Sequence, residues 1–207
     1  MDGTSRLQEY ASLVAGWPGL VGSGQRARVR DLVDDSLALI PHLEDARTLL
    51  DVGTGGGMPG IPLAIACPRL RVTLLDADHG KAAFCTHAAA VLHLDVAVLA
   101  ERAEDAAHGP FREAFDVVAT RALGALPEVL ELCLPFVRPG GRLLSMRAQG
   151  ELPEGAWARL GGSRPEVVAA PTAARSRGVV VVVRKVSQTP DEYPRRPGRP
   201  HRRPLLN

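Results

Sequence analysis

The chain has 207 residues, of which 45% are hydrophobic and 4% aromatic, and a formal net charge of +2 at pH 7. This length and composition allow a real core within one domain. The three widely spaced cysteines exclude a disulfide framework and indicate a reducing compartment. No CxxC pattern or histidine cluster indicates a metal, and the longest aliphatic run, 179–183, cannot span a bilayer. We therefore expect a cytoplasmic protein with no membrane segment and no metal.

The small net charge conceals an uneven distribution. Residues 184–207 contain seven arginines or lysines against two acidic residues, so the rest of the chain is net negative. A basic tail of this kind can contact nucleic acid by neutralising phosphates, or it can be a solvated end. Charge alone leaves both interpretations open.

Two helices are predicted before the first strand. The first covers 5–14, where apolar residues recur at helical spacing after a cap at Thr4 or Ser5. The second covers 25–40 and ends at Pro41, because proline lacks the N–H that a helix interior requires. Both belong to a short helical N-terminal extension.

From residue 48 onward, predicted strands and helices alternate, which is typical of a parallel sheet covered on both faces. The predicted strands are 48–52, 71–76, 95–99, 115–120, 142–147, 166–170 and 178–186. The predicted helices are 60–66, 79–92, 126–136 and 154–160. We predict a Rossmann-like α/β fold, with a mostly parallel sheet of about seven strands and an antiparallel edge hairpin. We divide the chain into an N-terminal extension (1–44), the α/β domain (45–188) and a basic tail (189–207) whose prolines should keep it extended.

The segment 51–62 has the pattern of a buried strand, a glycine hinge and the first turn of a helix, which is where ligands bind on open α/β sheets. Two cofactor patterns fit it. G-x-G-x-x-G from Gly55 to Gly60 matches dinucleotide-binding loops, and D-x-G-x-G-x-G from Asp51 to Gly57 matches loops that bind S-adenosylmethionine (SAM). The carboxylate favours SAM, because it would repel a pyrophosphate and attract the ammonium group of SAM.

Two further positions fit a nucleoside. Asp76 ends the second predicted strand, where a carboxylate can accept hydrogen bonds from both ribose hydroxyls, although it could instead cap the next helix. Ala103 and Glu104 follow the third strand, where a small side chain can pack on adenine and an acidic one can meet its amino group. The same residues could simply begin a helix.

Arg121 ends the fourth predicted strand and should point into the functional crevice, where it has no evident core partner. It could pair with Asp51, with a substrate phosphate or with the cofactor carboxylate. No Asn/Asp-Pro-Pro-aromatic run follows this strand, which excludes methyltransferases that act on the amino groups of adenine or glutamine.

Several motifs carry a family resemblance: DVGTGGGMPGIPLAI at 51–65, VTLLD at 72–76, RAE at 102–104, FDVVATRA at 115–122, LELCLP at 130–135 and TPDEYPRRPGRPHRRPL at 189–205. Together they closely resemble the bacterial RsmG (GidB) family, over roughly residues 35–205. The resemblance implies a class I SAM-dependent methyltransferase that methylates N7 of a guanine in 16S ribosomal RNA. It also implies a partner, namely 16S rRNA or the small ribosomal subunit, and we expect a monomer.

The resemblance and the glycine pattern together imply a set of cofactor contacts: Gly53, Gly55, Gly57, Met58, Asp76 as the ribose ligand, Ala103, Glu104 and Arg121. Arg121 is also our candidate catalytic residue, linking the cofactor to the substrate. No general base is needed, because guanine N7 has an in-plane lone pair and no proton at neutral pH. Rate enhancement would then come mostly from proximity and orientation.

Three alternatives remain. In this chain Ala82 follows Lys81 where the family usually has arginine, so the RNA-binding surface could be altered and the substrate a small heteroaromatic metabolite methylated on a ring nitrogen. The G-x-G-x-x-G pattern alone would fit an NAD(P)-dependent oxidoreductase. A non-catalytic protein that binds SAM or rRNA is the third alternative.

Overall fold

The computed structural model describes residues 2–149 and 156–205. The strands in this part of the chain are β1 (Thr48–Val52), β2 (Arg71–Leu75), β3 (Val96–Leu99), β4 (Phe115–Arg121), β5 (Val137–Arg147), β6 (Glu166–Ala169) and β7 (Val179–Arg184). The helices are α1 (Gly3–Gly16), α2 (Ser23–Arg26), α3 (Val29–Ser36), α4 (Gly60–Ala66), α5 (His79–Val91), α6 (Ala103–Ala106), α7 (Leu126–Cys133), α8 (Ala156–Arg159) and α9 (Arg199–Arg202). Short 3₁₀ helices follow α3 and α7, at Leu37–His42 and Leu134–Phe136.

The strands form one sheet in the order β3-β2-β1-β4-β5-β7-β6. The first five strands along this order pair in parallel, and β7 pairs antiparallel with both β5 and β6. The predicted mostly parallel sheet with an antiparallel edge hairpin is therefore confirmed. From β1 the chain proceeds outward to β2 and β3 on one side, and it then returns to place β4 and β5 on the other side of β1. At this change of direction a crevice opens at the carboxyl ends of β1 and β4.

Side chains of each central strand point alternately to the two faces of the sheet and join two apolar clusters. In β1, Leu49 packs with Tyr10 and Val33 of the N-terminal helices. Leu50 and Val52 lie on the opposite face, where they pack with α7 and with the tail residue Leu205. The N-terminal helices and the tail therefore both contribute to the core, and the division at 44 and 188 stays a prediction.

The N-terminal helices differ from the sequence prediction. Asp2, not Thr4 or Ser5, caps α1, with its carboxylate accepting the Ser5 N–H at 2.8 Å. The predicted helix 25–40 is divided into α2, α3 and a 3₁₀ helix that contains Pro41. Pro41 has no N–H to donate to the carbonyl of Leu37, four residues earlier, so the α-helical hydrogen bond cannot form there.

The tail also differs from the prediction. Instead of being extended throughout, it turns at Gly198, with φ of +76°, into α9. Pro200 is compatible with this helix because proline is tolerated in the first helical turn. Residues 154 and 155 of the predicted helix 154–160 lie outside the described residues, and α8 covers residues 156–159 of it.

Candidate cofactor and substrate site

Two cavities meet at the carboxyl ends of β1 and β4. We call them the Asp76 cavity, of about 520 Å³, and the Met58 cavity, of about 560 Å³, after a residue that lines each. Gly53 and Ala122 line both cavities, so the two spaces share a wall. Both volumes fall within the range of sites that hold small molecules.

The residues predicted to bind the cofactor are distributed between the two cavities. Those that line the Asp76 cavity are Gly53, Asp76, Ala103 and Glu104. Those that line the Met58 cavity are Gly53, Gly55, Met58 and Arg121. Gly57 lines neither cavity: its φ is +87°, and an added Cβ would lie 2.5 Å from the Cδ1 of Ile61. Gly57 thus serves the turn of the loop, and the predicted contact with a cofactor receives no support from its position.

Gly53 and Gly55 bring bare backbone to the cavities. Gly53 has a φ of +68°, and a Cβ there would lie 2.4 Å from the Cδ1 of Leu123. Gly55 has a φ of +57°, and an added Cβ would find no heavy atom nearer than the Gly53 carbonyl oxygen at 4.0 Å. Positive φ and the absence of Cβ explain why glycine is needed at both positions.

Residues of the N-terminal extension contact the glycine loop at Gly56. The buried Tyr10 hydroxyl of α1 donates a hydrogen bond to the Gly56 carbonyl. Leu20 packs so close that a Cβ on Gly56 would lie 3.3 Å from its Cδ2. Loop geometry therefore depends on residues about forty positions upstream, which sequence reasoning had not connected with the site.

Asp76 presents its carboxylate to the cavity while it orders the chain around it. Its Oδ2 accepts the Gly55 N–H at 2.8 Å, and its Oδ1 accepts the Asp78 N–H at 2.9 Å. Because each carboxylate oxygen has two lone pairs, both can still accept a ligand hydroxyl. Asp78, not Asp76, caps α5, with Oδ1 accepting the N–H groups of Gly80 and Lys81. The alternative that Asp76 is a helix cap is therefore wrong.

Glu104 lies in the first turn of α6 and is 6% exposed. Its Oε1 accepts the Gly198 N–H from the tail at 2.8 Å. The tail residues His201 and Arg202 also line the Asp76 cavity, as does Lys81 of α5. The sequence contained no indication of the three tail residues in this cavity, because only folding brings residue 198 beside residue 104.

Arg121 has core partners that the sequence did not reveal. Its Nη1 donates to the Leu32 carbonyl of α3 at 2.8 Å and lies 3.8 Å from the Asp35 carboxylate. Its Nη2 lies 3.2 Å from the sulfur of Met58. No ion pair with Asp51 forms. Burial lowers the pKa of the Arg121 guanidinium, and the negative charge of Asp35 is among the groups that oppose this shift.

Asp35 is the centre of a buried charge cluster. It is 0% exposed, and its carboxylate accepts the Arg175 Nε–H at 2.9 Å and the Thr172 hydroxyl at 2.6 Å. Both Asp35 and Arg175 line the Met58 cavity. The cluster ties α3 and the segment before β7 to Arg121 and so fixes the wall of that cavity.

Asp51 lies beneath the loop rather than in a cavity. Its Oδ2 accepts the Thr54 hydroxyl at 2.6 Å and the Gly60 N–H at 2.8 Å, while Oδ1 is buried without a partner. Burial raises the pKa of the Asp51 carboxyl from 3.8 to about 6, despite these hydrogen bonds. A charged Asp51 is therefore costly in the folded state.

This pKa shift predicts a pH-dependent contribution to stability. Since the folded-state pKa is raised, the stabilising contribution of Asp51 is complete below pH 3.8 and is lost as the pH rises through 6. We expect the unfolding free energy of the wild type, relative to Asp51→Asn, to fall by up to about 3 kcal/mol between pH 4 and pH 7. Urea unfolding of both proteins across this range measures the difference, with the exposed Asp34→Asn as a control. If the difference in unfolding free energy between the wild type and Asp51→Asn did not change with pH, the raised pKa of Asp51 would be contradicted.

Within residues 2–149 and 156–205, no group of three or more histidine, cysteine or acidic residues could hold a metal ion. In the same part of the chain, no helix combines the length and apolar character needed to cross a membrane.

Comparison with known proteins agrees with the fold and with the motifs. A family model, "GidB: rRNA small subunit methyltransferase G", matches residues 4–159. The match begins well before residue 35, where the motif resemblance begins, so it includes most of the N-terminal extension.

Two solved structures show the same fold. The S-adenosylmethionine-dependent methyltransferase SibL has a TM-score of 0.64 and 20% identity, covering 87% of this chain and 65% of SibL. A SAM-dependent methyltransferase from Aquifex aeolicus has a TM-score of 0.59 and 17% identity, covering 87% of this chain and 98% of that one.

Two relatives are similar over most of their length. "Ribosomal RNA small subunit methyltransferase G" of Sorangium cellulosum is 45% identical over 169 residues, which cover 78% of this chain and 70% of the relative. The protein with the same name in Staphylococcus aureus strain Newman is 33% identical over an alignment of 221 positions, which covers 97% of this chain and 90% of the relative. With a family model that matches more than half of it and relatives at this level of identity, the chain belongs to the GidB family, the rRNA small subunit methyltransferase G proteins.

Proposed function

We propose that this protein transfers a methyl group from SAM to N7 of a guanine in 16S rRNA. The observation that carries the proposal is the shared wall of the two cavities at Gly53 and Ala122. Predicted nucleoside contacts line one cavity, and Arg121 lines the other. A cofactor in the first cavity and a base in the second would come close to each other where the two cavities adjoin, at Gly53 and Ala122.

The residues of the Asp76 cavity fit an adenosine. Asp76 is a carboxylate with free lone pairs for ribose hydroxyls, Ala103 is small enough for a ring to pack on it, and Glu104 is an acceptor for an amino group. The bare backbone of Gly53 and Gly55 permits close approach toward the Met58 cavity. When bound, SAM supplies an electrophilic methyl group on its sulfonium.

The residues of the Met58 cavity have to position a base, since N7 carries no proton to remove. Arg121 is held by α3 through Leu32 and Asp35, so its guanidinium is a pre-oriented donor in the cavity wall. Orientation by a fixed donor can contribute to rate without any proton transfer. We propose Arg121 as the residue that links the cofactor to the base.

The tail supplies positive charge for an RNA partner. Four exposed arginines of the tail line one pocket on the surface, namely Arg196, Arg199, Arg202 and Arg203. Neutralised phosphates position RNA without reading its sequence. We therefore propose 16S rRNA or the small subunit as the partner of a monomeric cytoplasmic enzyme. The family assignment leaves the oxidoreductase interpretation without support.

The test is transfer of label from methyl-labelled SAM to unmethylated small-subunit RNA, followed by nucleoside analysis. We expect 7-methylguanosine from the wild type. In Arg121→Ala we expect the rate to fall at least about tenfold, because losing one fixed charged donor costs about 1.5–3 kcal/mol of transition-state stabilisation. The matched control is Arg164→Ala, because this exposed arginine precedes the edge strand β6 and lines neither cavity. Its rate should equal that of the wild type.

Other outcomes distinguish the alternatives. Binding of SAM without label in any RNA would contradict the proposed substrate and leave two alternatives, an enzyme for a small heteroaromatic substrate and a non-catalytic SAM-binding protein. Label in a nucleoside other than 7-methylguanosine would contradict the proposed position of methylation. Equal rates for wild type and Arg121→Ala would remove the role of Arg121.

A further inference from the structure

The C-terminal tail is anchored to the α/β domain by buried polar contacts. Glu131 of α7 is 0% exposed, and its carboxylate accepts Nε–H of Arg195 at 2.7 Å, Nη2–H at 2.5 Å and the backbone N–H at 2.9 Å. Arg112 donates to the carbonyls of Thr189 and Tyr193 at 2.7 and 2.8 Å. Beyond these contacts, Leu205 is buried in the apolar cluster beneath α7. Residues 189–205 are therefore a fixed part of the folded chain.

Between these anchors the tail passes over the Asp76 cavity. Gly198 turns the chain in the left-handed conformation and donates its N–H to Oε1 of Glu104 at 2.8 Å. His201 Nδ1 lies 3.2 Å from Oε1 of Glu128, another residue of the cavity wall. With Arg202, these tail residues complete the lining of the cavity. Its other lining residues come from the carboxyl ends of β1, β2 and β4 and from α5, α6 and α7.

We propose that residues 198–202 are part of the cofactor site and that cofactor affinity depends on them. This inference rests on the proposed function, because it assigns SAM to the Asp76 cavity. Gly198 has a specific task there: its N–H holds the Glu104 carboxylate in one orientation before a ligand arrives. Glu104 accepts no second hydrogen bond from the residues that the structure describes, so its other oxygen is available to a ligand. A group fixed in advance does not have to be ordered on binding, which raises affinity.

The remaining tail residues of the cavity act as a wall. Arg202 and His201 are both exposed to solvent and both line the Asp76 cavity. Arg196 and Arg199, only a few residues away, do not line the Asp76 cavity. Arg202 therefore belongs to both the Asp76 cavity and the basic surface, whereas Arg196 and Arg199 belong to the basic surface alone. Binding measured without RNA reports on the cavity only.

The test uses the full-length chain and S-adenosylhomocysteine, whose binding is measured by calorimetry without any RNA. We expect the double variant His201→Ala/Arg202→Ala to raise Kd by about threefold to tenfold, because part of the wall is lost. We expect Gly198→Ala to raise it at least as much, since a side chain is strained at a φ of +76° and its Cβ would lie 3.2 Å from Arg202. Arg164→Ala should bind like the wild type. Circular dichroism melting confirms that each variant is folded.

A second readout is independent of mutation. Hydrogen exchange of the wild type should slow within 196–204 when S-adenosylhomocysteine is added, with no change across β6. Kd values of both tail variants within about twofold of the wild type, or unaltered exchange in the tail, would overturn the inference.

Failure of this inference and of the proposed function can be told apart. A wild type that binds the ligand but methylates no RNA contradicts the proposed function alone. A wild type and tail variants that bind it equally contradict the tail assignment alone. No binding to the wild type would contradict both.

Discussion

Replacement of Asp35 by alanine is expected to lower the free energy of unfolding by about 3–5 kcal/mol. The carboxylate is 0% exposed and neutralises Arg175, whose side chain is 11% exposed and whose Nη2 is already buried without a partner. Without Asp35, this guanidinium and that of Arg121 would remain in the interior without the carboxylate that pairs with both. Urea unfolding at pH 7 measures the loss.

A matched control lies one residue away. Asp34 is on the same helix and is exposed, so Asp34→Ala should change the unfolding free energy by no more than about 0.5 kcal/mol. Asp35→Asn, which keeps the size but not the charge, should fall between the two. Similar unfolding midpoints for Asp35→Ala and Asp34→Ala would show that the buried cluster does not stabilise the fold.

Replacement of Asp76 by alanine is expected to weaken SAM binding about 30-fold to 100-fold, or about 2–3 kcal/mol. Two effects add. The proposed hydrogen bonds from ribose hydroxyls to a charged acceptor are worth about 1.5–3 kcal/mol each, and part of this is recovered by water. The Gly55 N–H also loses the acceptor that holds the glycine loop. Calorimetric titration with SAM measures the change.

Asp78→Ala provides the control for this second experiment. Asp78 lies two residues further along and caps α5 but does not line the Asp76 cavity. Its loss should cost about 1 kcal/mol of stability and leave the Kd for SAM within about twofold of the wild type. Equal Kd values for Asp76→Ala and the wild type would contradict the assignment of the ribose to this carboxylate.

The N-terminal extension is joined to the site more closely than its position in the chain indicates. Tyr10 and Leu20 support the glycine loop, while Leu32 and Asp35 hold Arg121. The described extension therefore supports the Met58 cavity, whose lining includes Gly56 and Arg121. This explains in physical terms why the family match extends back to residue 4.

Local patterns in the sequence were enough to predict the sheet, the bounds of several elements and part of the candidate site. The alternation of apolar strands and helices from residue 48 predicted the sheet, because burial on both faces requires continuous apolar strands. β1 and α4 begin and end where predicted. Four predicted cofactor residues line the Asp76 cavity, because the carboxyl ends of parallel strands meet at one edge of the sheet.

Only the tertiary structure decided the partners of those residues. Arg121 pairs with Asp35 across 86 positions of sequence, Glu104 accepts from Gly198, and Arg195 pairs with Glu131. Such pairs leave no local signal, since neither member alters the periodicity of its own segment. The strand ends that bear the proposed site were legible from the sequence, whereas the support of the site by both chain ends is a consequence of packing.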